Sequence, residues 1–209
     1  MTMNHRKMRG AVLGVALLGA IAVPAVAEAR VMDLRLSGDA GGMFGWGTTA
    51  NTQDMFRQAA GPGFGFEAGF KLVIFDVSAS LLQIVKDGFS ATLLQGLVGV
   101  EVDFPAGQTK LSNGQSAHII HSGFAGGVVL GTNAPANFPV TNDQLADKGI
   151  VSRFRVGYEY FLNEFMGVGV QGDFGYHYLL GGQAVNNTQD HSSGYHLIGL
   201  AHFTFHLGF

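Results

Sequence analysis

The chain has no cysteine, few charged residues and little proline. The absence of cysteine from 209 residues excludes disulfides, thiolate metal sites, iron–sulfur clusters and cysteine nucleophiles. Charged residues make up 13% of the chain, about half the share usual in soluble proteins. The 12 basic and 15 acidic residues do not give the positive charge expected of a nucleic-acid-binding protein. Hydrophobic residues make up 47% of the chain and glycine is abundant, with 32 residues, so the composition excludes a disordered protein.

The first thirty residues have the features of a secretory signal peptide. Three basic residues precede the run 11–23, which carries no charge and no polar side chain. This run is too short to span a bilayer as a helix, which takes about 20 residues, and small residues suited to signal peptidase end at Ala27 and at Ala29. We therefore predict a signal peptide over 1–29, cleaved after Ala27 or Ala29, rather than a membrane anchor or a buried helix. No segment of 30–209 is apolar for 18 residues, so no transmembrane helix is expected there.

Apolar and polar residues alternate along most of 30–209, which is the pattern of strands with one apolar face. In the first run, for example, Leu34 and Leu36 alternate with Asp33 and Arg35. The pattern predicts eight strands, at about 31–46, 64–74, 76–81, 94–104, 117–131, 153–160, 166–177 and 195–209. The apolar residues stand at even-numbered positions before residue 75 and at odd-numbered positions after it, so a tight turn is expected at Val73–Asp76.

The predicted connections alternate between long and short. Loops are expected at 47–61, 87–92, 132–149 and 179–194, with short turns after strands two and six and an intermediate connection at 105–116. Alternating long loops and short turns, with an even number of strands, are typical of an up-and-down membrane barrel.

Two features favour lipid rather than water outside this barrel. The polar faces hold much Gly, Ser and His but little charge, with nine Lys and Arg residues after residue 29, whereas a solvated surface normally carries more charge. Aromatic residues also gather near strand ends, as in interfacial girdles: Phe44, Trp46, Phe64, Tyr176, Tyr178 and Tyr195 towards the loops, and Phe104, Tyr160, Phe205 and Phe209 towards the turns. The alternative is a soluble periplasmic barrel with its apolar side chains inside.

The chain ends in an alternating apolar strand, Phe203-Thr-Phe-His-Leu-Gly-Phe209. This ending resembles the C-terminal signature of the small eight-stranded bacterial outer-membrane β-barrels, the class that includes the membrane domain of OmpA and OmpX. The resemblance implies an all-β, eight-stranded antiparallel up-and-down transmembrane β-barrel over 30–209, located in the outer membrane. It also implies contact with outer-membrane lipid including lipopolysaccharide, and recognition of Phe209 by the barrel-assembly machinery.

A lipid-facing exterior directs the polar faces into the lumen. An eight-stranded barrel is only wide enough for side chains to fill, and buried charges without partners are costly. We therefore expect ion pairs across the lumen, with a narrow aqueous path as the alternative. The charged residues predicted to face the lumen are Asp33, Arg35, Asp39, Glu67, Lys71, Glu101, Asp103, Arg153, Arg155, Glu159 and Asp173.

Three histidines and one aspartate are the candidate metal ligands. If residue 178 lies near residue 195, then His177 faces His196 inside the barrel, below Asp190 and His191 in the loop. Imidazoles with a carboxylate are suited to zinc or copper and to acid–base chemistry near neutral pH. A polar lumen filled by hydrogen-bonding side chains explains the same residues, and we predict this simpler arrangement, without a metal or cofactor.

Two further motifs resemble parts of enzyme or nucleotide sites. The segment 190–193, Asp-His-Ser-Ser, offers residue types used by lipid-modifying outer-membrane enzymes, although its spacing does not fit the deacylase pattern. The glycines Gly167, Gly169 and Gly172 match G-x-G-x-x-G, but a dinucleotide site needs a helix after the motif, and here the alternating strand continues. We expect glycines of this motif that face the lumen to make room for large neighbours.

These observations predict a non-catalytic integral outer-membrane barrel whose surface-exposed loops serve an envelope or binding role. The loops 47–61, 132–149 and 179–194 are the candidate binding regions. A narrow transport barrel for small solutes is the alternative, and a lipid-modifying enzyme is the third possibility.

Overall fold

The computed structural model describes residues 31–47, 60–86, 89–134, 147–180 and 191–208. These residues form eight strands, which are β1 (Met32–Gly47), β2 (Gly61–Leu72), β3 (Phe75–Lys86), β4 (Phe89–Pro105), β5 (His118–Ala134), β6 (Asp147–Phe161), β7 (Met166–Leu180) and β8 (His191–Gly208). The predicted signal peptide and Phe209 lie outside the described residues.

Each strand pairs with its sequence neighbours in antiparallel orientation, and β8 pairs with β1 to close the barrel. The closing seam runs from the pair Asp33 and Gly208 to the pair Gly47 and Gly194. Because every backbone edge is paired with a neighbour, the sheet has no open edge. The predicted fold, an eight-stranded antiparallel up-and-down barrel, is confirmed.

Three connections lie at one end of the barrel, called here the turn end. Residues 73–74 join β2 to β3, residues 106–117 join β4 to β5, and residues 162–165 join β6 to β7. The predicted turn at Val73–Asp76 is confirmed in position, and Val73 adopts a φ of 58° there. In the third connection, the side-chain oxygen of Asn163 accepts hydrogen bonds from the backbone N–H groups of Phe165 and Met166, at 2.8 and 3.0 Å.

The opposite end, called the loop end, carries the connections 48–60, 87–88, 135–146 and 181–190, which lie almost entirely outside the described residues. The strands flanking them extend further than the sequence predicts.

The predicted loop at 87–92 is wrong, because Lys86 pairs with Phe89 and only residues 87–88 join β3 to β4. The sequence Asp-Gly at these positions is typical of two-residue hairpin turns.

Outward-facing side chains are predominantly apolar and well exposed, as in Phe66, Val98 and Phe124, which are 65, 64 and 57% exposed. Buried polar and charged side chains instead face the lumen, among them Lys71, Glu101, Arg155 and Asp173. Among the described residues, no helix is long and apolar enough to cross a bilayer.

Candidate functional site in the barrel lumen

A four-residue ion-pair network crosses the middle of the lumen. Glu67 on β2 binds both arginines of β6, with Arg155 Nη1 at 2.7 Å from Oε1 and Arg153 Nη2 at 3.2 Å from Oε2. Asp173 on β7 binds the same two arginines, at 2.8 Å from Arg155 Nε and 3.3 Å from Arg153 Nη1. Each carboxylate therefore binds two guanidinium groups, and the network connects β2 to β6 and β7 on the opposite side of the barrel.

A second network lies closer to the turn end. Arg35 on β1 binds Asp76 on β3 and Glu101 on β4. Lys71 Nζ lies 2.6 Å from Asp103 Oδ2 and 3.4 Å from Glu101 Oε1. Asp76 was not among the charges predicted for the lumen, although the parity change at the β2–β3 turn places it on the inner face.

A histidine joins two carboxylates beside this network. His206 Nδ1 lies 2.7 Å from Asp33 Oδ2, and His206 Nε2 lies 3.0 Å from Glu159 Oε1. Ten of the eleven charged residues predicted to face the lumen therefore form ion pairs there. Two of the ten, Asp33 and Glu159, pair with His206. The eleventh, Asp39, accepts a hydrogen bond from Ser37 Oγ at 3.1 Å.

Towards the loop end, the lumen is filled by apolar side chains, which the sequence analysis did not predict. The central members of this apolar layer are completely or almost completely buried: Met43, Ile84, Leu93, Leu97, Val129 and Leu179. An inward-facing side chain of a barrel wall becomes inaccessible only when side chains from the other strands pack against it. The lumen is therefore polar and ion-paired in its turn half and mainly apolar in its loop half, where the buried His177 and His196 also lie.

Cavities remain in the polar half, and two of them share part of their walls. The first lies at the turn end and is lined by charged side chains, including Lys71 and Asp103, and by Gln115 and Ser116 of the β4–β5 connection. The second lies deeper, beside Glu67 and His202. The two cavities share the lining residues Arg35, His121 and Glu159.

The candidate histidine pair forms, but in a different register from the one assumed. His177 lies opposite Gly194 and His196 lies opposite Gly175, so the β7–β8 register is shifted by two residues. Because a shift of two residues preserves the faces of both strands, the rings still meet inside, with their Nδ1 atoms 3.4 Å apart.

The rest of the candidate metal set is not brought together in the described part of the chain. Asp190 lies outside the described residues, and His191 enters only as the first residue of β8. Within the described ranges, no group of three or more histidine, aspartate or glutamate side chains is arranged to hold a metal ion.

The G-x-G-x-x-G match lies within β7, where the sequence analysis placed it in a strand. A Cβ atom at Gly167 would collide with the carboxylate of Glu159, and one at Gly169 would collide with the His202 ring. Both glycines therefore make room for lumenal side chains, while Gly172 on the outer face has no atom near that position.

An apolar exterior around an ion-paired polar interior reverses the arrangement of a soluble barrel and defines a membrane-spanning β-barrel. Solved outer-membrane barrels have similar shapes. Neisserial surface protein A shares 12% identity and a TM-score of 0.48 over 85% of this chain and 97% of that one. The N-terminal β-barrel domain of Pseudomonas aeruginosa OprF shares 11% identity and a TM-score of 0.43, over 83% and 97% of the two chains.

The outer-membrane protein OprG from Pseudomonas aeruginosa shares 9% identity and a TM-score of 0.40, over 86% of this chain and 98% of that one. No protein-family profile and no curated protein sequence matches the chain. The membrane assignment therefore depends on the distribution of side chains in the barrel itself.

Proposed function

We propose that the protein is a non-catalytic integral outer-membrane protein with a closed lumen, whose loop-end segments face the cell exterior and carry a structural or surface-binding role. The observation that carries this proposal is the lumen itself. Most of its charged groups bind one another, and its loop half is filled mainly by the apolar layer. Such an interior gives the wall rigidity and leaves recognition to the loops.

The outward-facing aromatic residues support a position across a bilayer. Near the loop end, Trp46, Phe174, Tyr176 and Tyr195 form a cluster in which the Phe174 and Tyr195 rings stack at 5.9 Å. Tyr160 and Phe205 are exposed near the turn end. Aromatic residues at two levels of a barrel match the two interfaces of a membrane.

The sequence supplies the remaining parts of the proposal. Residues 1–29 would direct export and be removed after Ala27 or Ala29, and Phe209 would be read by the barrel-assembly machinery. The exterior would then contact outer-membrane lipid, including lipopolysaccharide. Mass spectrometry of the purified protein tests the cleavage, since a mature chain that keeps residues 1–29 would contradict it.

Membrane fractionation combined with a heat-modifiability gel tests the location. A closed barrel often stays folded in SDS until it is boiled, so we expect an outer-membrane band whose mobility changes on boiling. Recovery of the protein from the soluble periplasm would overturn the proposal. Planar-bilayer recordings test the closed lumen, and we expect no single-channel steps from the wild type.

Transport of small solutes is the second candidate, because two cavities with shared walls occupy the polar half of the lumen. Solutes would then have to pass the apolar layer, which closes the loop half of the lumen. Liposome swelling separates the two candidates, since uptake of small solutes by the wild-type barrel would favour transport. Swelling that appears only after Ile84 and Leu93 are both replaced by alanine would favour the closed lumen.

A further inference from the structure

His206 occupies the closing seam of the barrel near the end of the last strand. It lies on β8, directly opposite Arg35 of β1, and two residues before the end of β8 at Gly208. Its ring reaches Asp33 on β1 on one side and Glu159 on β6 on the other. A single side chain of β8 therefore contacts β1, the neighbouring strand on one side, and β6, which lies two strands away on the other side.

The surrounding structure holds this ring in place. The backbone N–H of His206 donates to the carbonyl oxygen of Phe165 at 2.7 Å, and the Phe161 ring lies against the imidazole with ring centroids 4.8 Å apart. Strand β7 runs between β6 and β8, and its residue Gly167 leaves the space that the Glu159 carboxylate occupies. The bridge from His206 to Glu159 thus passes over a glycine that has no side chain to block it.

Both ring nitrogens of His206 face a carboxylate oxygen within hydrogen-bonding distance, at 2.7 and 3.0 Å. An ionised carboxylate can only accept hydrogen bonds, and a neutral imidazole has a single N–H to donate. Between two ionised carboxylates, both bonds form together only when the ring carries two protons.

The other groups around this site are also charged or titratable. His202 of β8 lies 3.9 Å from Glu159 Oε1. The cavity against His206 is lined by further groups from the neighbouring strands, namely Arg35, Lys71, Glu101, Asp103 and His121. Arg35 and Lys71 are held by Asp76, Glu101 and Asp103, and His206 lies between Asp33 and Glu159.

We propose that His206 is a proton-dependent clasp, which in its doubly protonated form fastens the C-terminal strand to β1 and β6 and stabilises barrel closure. A free imidazole is largely neutral above about pH 6.5. Folding at neutral pH then takes up a proton at His206, so the clasp is fully formed in mildly acidic solution. Its contribution decreases as the pH rises and the proton is lost.

The test compares the wild type with His206→Gln during urea unfolding in lipid vesicles at several pH values from 6 to 8. We expect the ratio of the wild-type unfolding equilibrium constant to that of His206→Gln to rise with pH, by at most about tenfold per unit for one proton, because the variant has no titrating ring at this position. The control is His118→Gln, which replaces a turn-end histidine bound to the Tyr158 hydroxyl on the outer face, and it should keep the wild-type pH dependence.

An unchanged pH dependence in His206→Gln would overturn the proposal. If that variant does not fold, nitrogen NMR of the histidine-labelled wild type in detergent micelles measures the protonation of both His206 ring nitrogens directly. Two protonated ring nitrogens on His206 at pH 7 are expected. A ring with one protonated nitrogen at that pH would overturn the clasp.

Discussion

Gly157 on β6 lies directly opposite His121 on β5, and the His121 ring occupies the space where a Cβ atom of residue 157 would lie. The same relationship joins Gly169 to His202 and Gly175 to His196 across the β7–β8 pair. An eight-stranded barrel has little room inside. Each large ring is therefore accommodated by a glycine on the adjacent strand, which explains part of the chain's high glycine content.

Replacing Gly157 by alanine should destabilise the barrel. The new methyl group would collide with the buried His121 ring, and overpacking of this kind costs about 1–3 kcal/mol. Urea unfolding in lipid vesicles measures the change. Gly172→Ala is the matched control, because Gly172 lies on the outer face of β7 with no atom near its Cβ position, and a similar loss in both variants would contradict the prediction.

Replacing Glu67 by glutamine should weaken the central ion-pair network. Arg153 and Arg155 would then share the single carboxylate of Asp173, and breaking a buried ion pair from one side costs about 3 kcal/mol or more. The control is Glu164→Gln, which changes a carboxylate that accepts a hydrogen bond from Ser112 in an exposed turn. We expect that change to stay within about 0.5 kcal/mol. Equal unfolding free energies for the two variants would show that the network does not stabilise the barrel.

The apolar layer can be tested with two adjacent leucines of β4. Leu93 faces the lumen and is completely buried, whereas Leu94 faces outward and is 45% exposed. Leu93→Ala leaves a cavity in packed protein and should lower the unfolding free energy by about 2–5 kcal/mol. Leu94→Ala should lower it distinctly less, since mobile lipid chains fill the vacated space. If Leu94→Ala proves the more damaging change, the assignment of the two faces is wrong.

Alternation was enough to predict the strands and their faces, because the period of two fixes which side chains face together. The parity change between β2 and β3 even located a turn that has no Gly or Pro. The apolar layer was missed because both faces are apolar near the loop end, so alternation disappears there. Adjacent apolar pairs such as Leu81–Leu82 and Leu93–Leu94, at that end of neighbouring strands, are the signal that could have predicted it.

Register and loop length were harder to predict. The β7–β8 register was off by two residues, since such a shift leaves every side chain on its correct face and the sequence pattern unchanged. The connection after β3 was predicted too long, although Asp-Gly at 87–88 is a recognisable hairpin sequence. The ion-pair partners depend on the relative positions of distant strands, as for Glu67 with Arg155, and alternation within one strand carries no information on that.

Val73 should be replaceable by glycine with a gain in stability. It is the only non-glycine residue with positive φ in the described part of the chain, at 58°, where a β-branched residue is strained. Relief of about 1–3 kcal/mol of strain exceeds the added flexibility of glycine, at about 0.5–1 kcal/mol, so a net gain of about 1 kcal/mol is expected. Thermal unfolding in detergent measures it. Ile74→Gly adds the flexibility without relieving strain, and a gain there instead would contradict the turn geometry.

Cross-linking can test the closing seam, because the native chain contains no cysteine. Ala40 on β1 lies directly opposite Ala201 on β8, and directly paired residues are about 4.5–5.5 Å apart between Cα atoms. The double variant Ala40→Cys with Ala201→Cys should therefore form a disulfide under mild oxidation. The linked chain should change its mobility on a non-reducing gel after boiling, and a reductant should reverse the change.

The control moves one cysteine by two residues, to Gly38→Cys with Ala201→Cys. Both cysteines still face outward, but Gly38 pairs with Phe203, so the two positions are diagonal neighbours about 7 Å apart or more. A disulfide spans such a distance poorly, and this variant should cross-link much less. More efficient cross-linking of the diagonal pair would show a different register, and disulfide-linked dimers in place of an internal link would show that β1 and β8 do not meet within one chain.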